Sequence, residues 1–292
     1  MKHRLNYTRF RKPIHGFTLI ELLVVIAIIA LLLSVILPSL GKAKELAKGV
    51  LCASNLRQLS MAWVMYADEH NSRMVTGPVF QDTRDDPAQQ AARGWAVGPI
   101  REDGTAVAAA AIEMEHRLLG IRKGKLFDYL GDEAVYHCPG DRRMKNPTNA
   151  AQRYRSYLLP DVLYGDLKTT NYSGISKRYD GKLLKKTTEI TSPGTKYTFV
   201  ESSSDPDDTR WGFDHSGWNF TPWIDKFWTD ELAANHTESA CFAFADGHAE
   251  KHKWVNKNTV KQFQSEPFET ILLPQNEDVA WAWNHFPLHK RN

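Results

Sequence analysis

Only three cysteines occur in the 292 residues, Cys52, Cys138 and Cys241, and no two stand in a C-x-x-C spacing. A zinc ribbon therefore has no support in the sequence. The chain also lacks G-x-S-x-G, H-E-x-x-H and a P-loop, the short strings that mark many hydrolases, metalloproteases and nucleotide-binding enzymes. Neither sign of charge dominates: 37 Lys and Arg face 34 Asp and Glu, for a formal charge of +3. With no basic stripe, that balance makes no case for a nucleic-acid partner. Long hydrophobic runs are scarce, which argues against a polytopic membrane protein, and a hydrophobic share of 42% argues against wholesale disorder. The length suffices for one large domain, or two modest ones, with a sizeable core.

One apolar run does stand out. From Phe17 to Leu37 the chain reads FTLIELLVVIAIIALLLSVIL, broken only by Thr18, Glu21 and Ser34. As a helix this run is roughly 31 Å long, the hydrocarbon thickness of a bilayer. The preceding residues 1–16 carry Lys2, Arg4, Arg9, Arg11 and Lys12 and no acid. By the positive-inside rule they stay in the cytoplasm, and the bulk of the chain lies across the membrane. Those five account for the surplus of positive charge, since residues 17–292 hold 32 basic against 34 acidic side chains.

A secretory signal peptide has a shorter apolar region and a small-residue cleavage site after it. Here the run ends in Pro38-Ser39-Leu40-Gly41 without such a site. A plain uncleaved anchor has the same length, and Glu21 separates the readings. A carboxylate at the centre of a spanning helix costs about 2.5–3.5 kcal/mol on insertion scales, and less near an interface. Glu21 either snorkels to the cytoplasmic headgroups or is kept for a function.

The string GFTLIELLVVIAIIALL from Gly16 onward resembles the N-terminal signature of type IV pilins and type II secretion pseudopilins. The resemblance implies cleavage by a prepilin peptidase between Gly16 and Phe17, followed by N-methylation of Phe17. Gly16 brings no side chain into the protease. Cutting there leaves the apolar helix attached as an assembly element. Glu21 becomes the fifth residue of the mature chain, able to pair with the Phe17 ammonium of a neighbouring subunit and offset two charges in lipid. Pro38 matches the proline at which such helices bend or locally melt, with Gly41 beside it as a hinge.

After the span, residues 38–70 show helical periodicity, with Ala47, Leu51, Leu59, Ala62, Trp63 and Tyr66 near one face. Residues 77–106 read as loop. A helix is expected over 107–120, stopped by Gly120, then a small one in KLFDYLG. A strand is expected from Lys196 to Glu201. The clearest hairpin is ESACFAFADGHAEKHKW, turning at Asp246-Gly247 as a type I′ turn, which puts Ala245 opposite His248 and Cys241 opposite His252. The fold class is α+β: a long N-terminal helix packed on an antiparallel sheet, pilin-like. Its parts are a leader (1–16), a transmembrane helix (17–37), an amphipathic continuation (38–70) and a periplasmic globular domain (71–292).

His236, followed by nine residues and Asp246-Gly247, is similar to a C-terminal motif of large prepilin-like proteins, of unknown role. CASNLRQLSMAWVMYADEHN and YHCPGD resemble further pieces of that group. Cys52 and Cys138 lie in these pieces, and their disulfide pairing is the expectation the resemblance carries; disulfides are permitted beyond the inner membrane. Cys241, beside Phe242 and Phe244, reads as a buried strand residue. His215, His236, Asp246, His248 and His252 invite a metal site, with His248 and His252 sharing a strand face around Glu250, but exposed polar residues on a solvated strand look the same. No metal is assigned there. Asp205, Asp207, Asp208 and Asp214 could hold calcium, as a loop does in major pseudopilins, although they lack EF-hand spacing; a solvated acidic loop is the simpler reading. Trp211, Trp218, Trp223, Trp228, Trp254, Trp281 and Trp283 crowd the last third, either stacking on sugars or packing among loops.

The expected protein is thus a structural subunit, not an enzyme, and needs no cofactor. Its partners are prepilin peptidase, sister subunits, the membrane, and an assembly ATPase and platform protein, in a secretion pseudopilus or a pilus-like filament. It sits in the bacterial inner membrane with its N-terminus cytoplasmic. The competing expectation is a permanently anchored periplasmic domain that binds carbohydrate or acts as a hydrolase.

Overall fold

The computed structural model describes residues 17–77, 94–105, 107–108, 111–141, 154–165, 179, 182–202, 217–218, 220, 230, 232–264 and 275–288. Helix α1 spans Leu19–Glu69, 51 residues, and runs through Pro38 without interruption. The bend or melt anticipated at Pro38 is therefore not a break in the helix. Proline removes one N–H from the ladder but leaves its neighbours bonded. The helix ends where Asn71 and Ser72 turn left-handed and the Ser72 N–H closes on the Ala67 carbonyl at 2.8 Å.

Two compact units divide the chain, residues 1–44 and 45–292. In the first, every described residue is exposed. In the second, the buried stripe of α1 runs through Gly49, Cys52, Leu56, Leu59, Trp63 and Ala67 at steps of three and four, with Ser60 and Ala62 buried beside it. Leu59, Ala62 and Trp63 of the expected face are buried and Tyr66 is half-buried, whereas Ala47 is exposed and Leu51 remains 55% exposed. The face turns on small residues because another segment comes close, and a Cβ on Gly49 would stand 3.4 Å from the Cβ of His236.

That stripe packs within one core with a five-stranded sheet. The strands are β1 (Tyr157–Pro160), β2 (Tyr197–Glu201), β3 (Gly217–Trp218), β4 (Ser239–Phe244) and β5 (Ala249–Lys253), in the order β3-β1-β2-β4-β5. Four of them are antiparallel neighbours, as anticipated; the two-residue β3 adds a parallel edge beside β1. β1, β2 and β4 are buried at every position, while in β5 only Ala249 and His252 are half-buried and the other three residues are exposed. Polar bonds also tie helix to sheet: Ser60 Oγ donates to the Phe244 carbonyl at 2.6 Å and lies 3.2 Å from Thr198 Oγ1.

The β4–β5 hairpin is present, but its loop is one residue longer than the type I′ turn expected. Gly247 N–H bonds to the Phe244 carbonyl, and Phe244 N–H to the His248 carbonyl, both at 2.9 Å. Gly247 has φ +91°, whereas Asp246 does not take a positive φ, and a type I′ turn requires both. The loop is Ala245-Asp246-Gly247 with glycine at the left-handed position. The extra residue slides the register, so that Cys241 faces Lys251, and His252 faces Ala240. A Cβ on Gly247 would come within 2.7 Å of Met61 Sδ on α1, a second reason for glycine.

Helix α2 is Met114–Arg122 and α3 is Phe127–Leu130. The helix expected over 107–120 thus starts later, and Gly120 lies inside it. Its role is close approach: a Cβ there would be 2.3 Å from the Gly98 carbonyl oxygen. Gly131 does stop α3, left-handed at φ +68°. Two further helices, α4 (Lys257–Gln264) and α5 (Glu277–Asn284), close the C-terminal side. Asn276 caps α5, and the buried Asp278 accepts the Val255 and Asn256 N–H groups at 3.1 and 3.0 Å. Between them lies an aromatic nest: Trp254 meets Phe242 and Phe263, and Trp281 stacks on His252 at 3.7 Å. Of the clustered tryptophans, Trp254, Trp281 and Trp283 serve in packing; Trp211, Trp223 and Trp228 lie outside the described residues.

Candidate functional site

The start of α1 is built on a T-x-x-E string. Thr18 N–H and Thr18 Oγ1 each donate to Glu21 Oε2 at 2.8 Å, and Glu21 N–H returns a bond to Thr18 Oγ1 at 3.2 Å. This reciprocal pattern is a capping box, which satisfies N–H groups left open at a helix start. Thr18 is thus a functional neighbour that the sequence reading passed over, although the spacing of Thr18 and Glu21 announces it. Phe17 stands just before the helix and is 70% exposed. Gly16 lies outside the described residues. From Phe17 to Leu40 the large apolar side chains are all exposed, and α1 is by length and composition able to cross a membrane.

His236 and Asp246-Gly247 sit at opposite ends of β4, so the strand holds them roughly 20 Å apart. Asp246 accepts the His248 N–H at 3.1 Å and bonds His248 Nδ1, which orders the turn. His248 stacks on Phe244, while His252 stacks on Trp281. The two imidazoles thus engage different neighbours, and among the described residues they form no metal-holding group. Asp205, Asp207, Asp208, Asp214 and His215 lie outside the described residues.

His236 enters a different constellation. Its Nε2 is 3.1 Å from Cys138 Sγ and 3.2 Å from Glu201 Oε1, and the ligand atoms of Cys52, Cys138, Glu201 and His236 all lie within 4.8 Å of one another. Four separate segments supply them: α1, the Cys138-Pro139-Gly140 turn, the end of β2, and a tight turn before β4. All four residues are buried. Cys52 and Cys138 are free thiols here, as is Cys241, so the disulfide expected between the first two is not formed. The two residues are nonetheless in one cluster. Glu201 was not singled out by the sequence; a lone acid at the end of the buried run Tyr197–Glu201 is the only signal it leaves.

The electrostatics of the cluster follow from its burial. Desolvation alone would raise Glu201, but the hydrogen bond and charge of His236, with a hydrogen bond from Asn235, hold it below the usual carboxylate range. Desolvation alone would lower His236, and its bonds to Cys138 and Glu201 outweigh that and push it up to about 10. Burial first, then its thiol neighbours, drives Cys52 well above the ordinary thiol range. Glu201 is fixed at both oxygens, by Asn235 Nδ2 at 3.0 Å and the Cys241 N–H at 3.0 Å.

Residues 11–37 match the family described as the prokaryotic N-terminal methylation motif. The chain therefore carries the prepilin-type N-terminal signature, on a mixed helix-and-sheet fold consistent with a pilin-like α+β architecture. No curated protein and no solved structure matches the chain. The signature and the apolar helix support a prepilin with a single-pass membrane anchor.

Proposed function

We propose that the protein is a prepilin-like structural subunit, cut by a prepilin peptidase after Gly16, methylated at Phe17, and assembled through α1 into a secretion pseudopilus or pilus-like filament. The carrying observation is the coincidence of the methylation signature at 11–37 with a helix whose apolar side chains are all exposed from Phe17 to Leu40. Such a surface needs lipid, then sister helices, to cover it. In this reading the leader stays in the cytoplasm and residues 45–292 face the periplasm. Subunits wait in the inner membrane until an ATPase and a platform protein add them to the filament base. The role is mechanical and needs no catalytic group, and the packing of Trp254, Trp281 and Trp283 into the core is in keeping with it.

Processing is the first step to test. In cells that also produce a prepilin peptidase, the wild-type chain should lose residues 1–16 and migrate faster on gels. Gly16→Val should remain full length, because a β-branched side chain obstructs the extended backbone that the protease must accept. Equal trimming of both chains would contradict the assigned cleavage point.

A further inference from the structure

We propose that Cys52, Cys138, His236 and Glu201 form a closed structural site for a thiophilic divalent cation, zinc foremost. It is independent of the assembly reading and concerns how the globular unit is held together. Two thiolates, an imidazole and a carboxylate are donor types that zinc takes in four-coordinate sites. A tetrahedral ion with Zn–S of about 2.3 Å and Zn–N or Zn–O of about 2.0–2.2 Å sets ligand-to-ligand edges of about 3.3–3.8 Å. The observed spread brackets those edges, with contacts of 3.1 and 3.2 Å and no ligand pair beyond 4.8 Å. Calcium and magnesium are the wrong class, because they take oxygen ligands and not thiols.

The hydrogen bonds separate ligand sulfurs from a bystander. Cys138 Sγ accepts the Gly140 N–H at 3.2 Å, and Cys52 Sγ accepts the Tyr157 hydroxyl at 3.4 Å. In a metal site such N–H and O–H donors are the outer hydrogen bonds that orient the ligand sulfurs. Cys241 does the reverse: its thiol donates to the Gly49 carbonyl at 3.6 Å. Glu201 has the outer partners that orient a metal-ligating carboxylate, Asn235 and the Cys241 N–H.

The backbone points the same way. His236, Thr237 and Glu238 are three successive non-glycine residues at φ of +35°, +65° and +59°. Left-handed non-glycine residues are strained and persist where the surroundings over-determine them. A bond from His236 to an ion shared with α1 and the Cys138 turn would do that. Glycines on both sides clear the space: a Cβ on Gly140 would be 2.7 Å from His236 Cε1, and one on Gly49 would be 3.4 Å from His236 Cβ.

Cys138, His236 and Glu201 also have the order of a nucleophile, a base and an orienting acid. Burial of all three leaves no face for a substrate, so a closed structural ion fits the cluster and a catalytic thiol does not.

The test uses the full chain in detergent, purified without chelator. One equivalent of zinc per chain is expected by elemental analysis, and cobalt exchange should give the thiolate-to-metal and tetrahedral d–d bands. Cys138→Ser should lose the bands and weaken zinc binding by more than about 100-fold, beyond the loss seen for outer-sphere changes, whereas Cys241→Ala should keep both. Should Cys138→Ser not fold, removal of zinc from the wild-type chain must lower its melting temperature, and added zinc must restore it. A Cys52–Cys138 disulfide in the native protein, or a reduced chain that takes up no zinc and no cobalt, would overturn the proposal.

Discussion

Glu21→Val is expected to insert into the membrane normally and to disappear from filaments. Insertion should not suffer, because removing a carboxylate from a spanning helix is favourable by up to about 2.5–3.5 kcal/mol on insertion scales. Assembly should fail because nothing then draws the Phe17 ammonium of a neighbouring subunit into lipid beside it. The structure adds a complication that a control resolves. Glu21 also caps its own helix through Thr18 N–H and Oγ1, a local role worth about 1 kcal/mol. Glu21→Gln keeps an oxygen for the cap but removes the charge. If pairing with the neighbour's ammonium is what matters, glutamine fails like valine in a filament-shearing assay. If glutamine restores assembly, Glu21 is a helix cap and the pairing role falls.

Trp254→Ala should be among the most damaging single changes in the globular unit. The indole is 2% exposed, its Nε1 donates to the Ala233 carbonyl at 2.8 Å, and its ring meets His252 at 4.9 Å and Phe263 at 5.3 Å. Truncation removes that surface from the core, leaves a cavity and orphans a carbonyl. Together these cost about 3–5 kcal/mol, or a fall in Tm of roughly 10 °C for a domain of this size. The neighbouring Val255 is 63% exposed, and Val255→Ala should change stability by less than about 0.5 kcal/mol. Thermal melts of the two variants, followed by near-UV circular dichroism, make the comparison. Equal Tm values would mean that the aromatic nest does not carry the C-terminal side of the fold, and would return its tryptophans to the rival role of stacking on sugars.

How much could be read in advance follows from the distance over which each feature is encoded. The methylation signature is contiguous, so the resemblance that points to Gly16, Phe17 and Glu21 is carried by one short stretch. The helix after it is legible as a period, and Leu59, Ala62 and Trp63 fall on the buried face as expected, but the start of that face does not. Leu51 looks like a core residue and is exposed, whereas Gly49 and Cys52 look incidental and face inward, because their size answers to a loop far along the chain. The Asp246-Gly247 hairpin was located correctly and mis-registered by one residue, since the same dipeptide serves both two-residue and three-residue loops. The Cys52, Cys138, Glu201 and His236 cluster shows the limit. Its members lie dozens of residues apart with no metal-ligand spacing, and only the packing of α1 against the sheet assembles them. Even where Cys52 and Cys138 were linked in anticipation, the partner that changes the chemistry, His236, stood in a different motif.

Mass spectrometry of the native chain's N-terminus is the most direct measurement. A mature protein that begins at an N-methylated Phe17, with the first sixteen residues gone, is the predicted result. A chain that still begins at Met1 in a cell with an active prepilin peptidase would contradict it and leave only a permanent anchor.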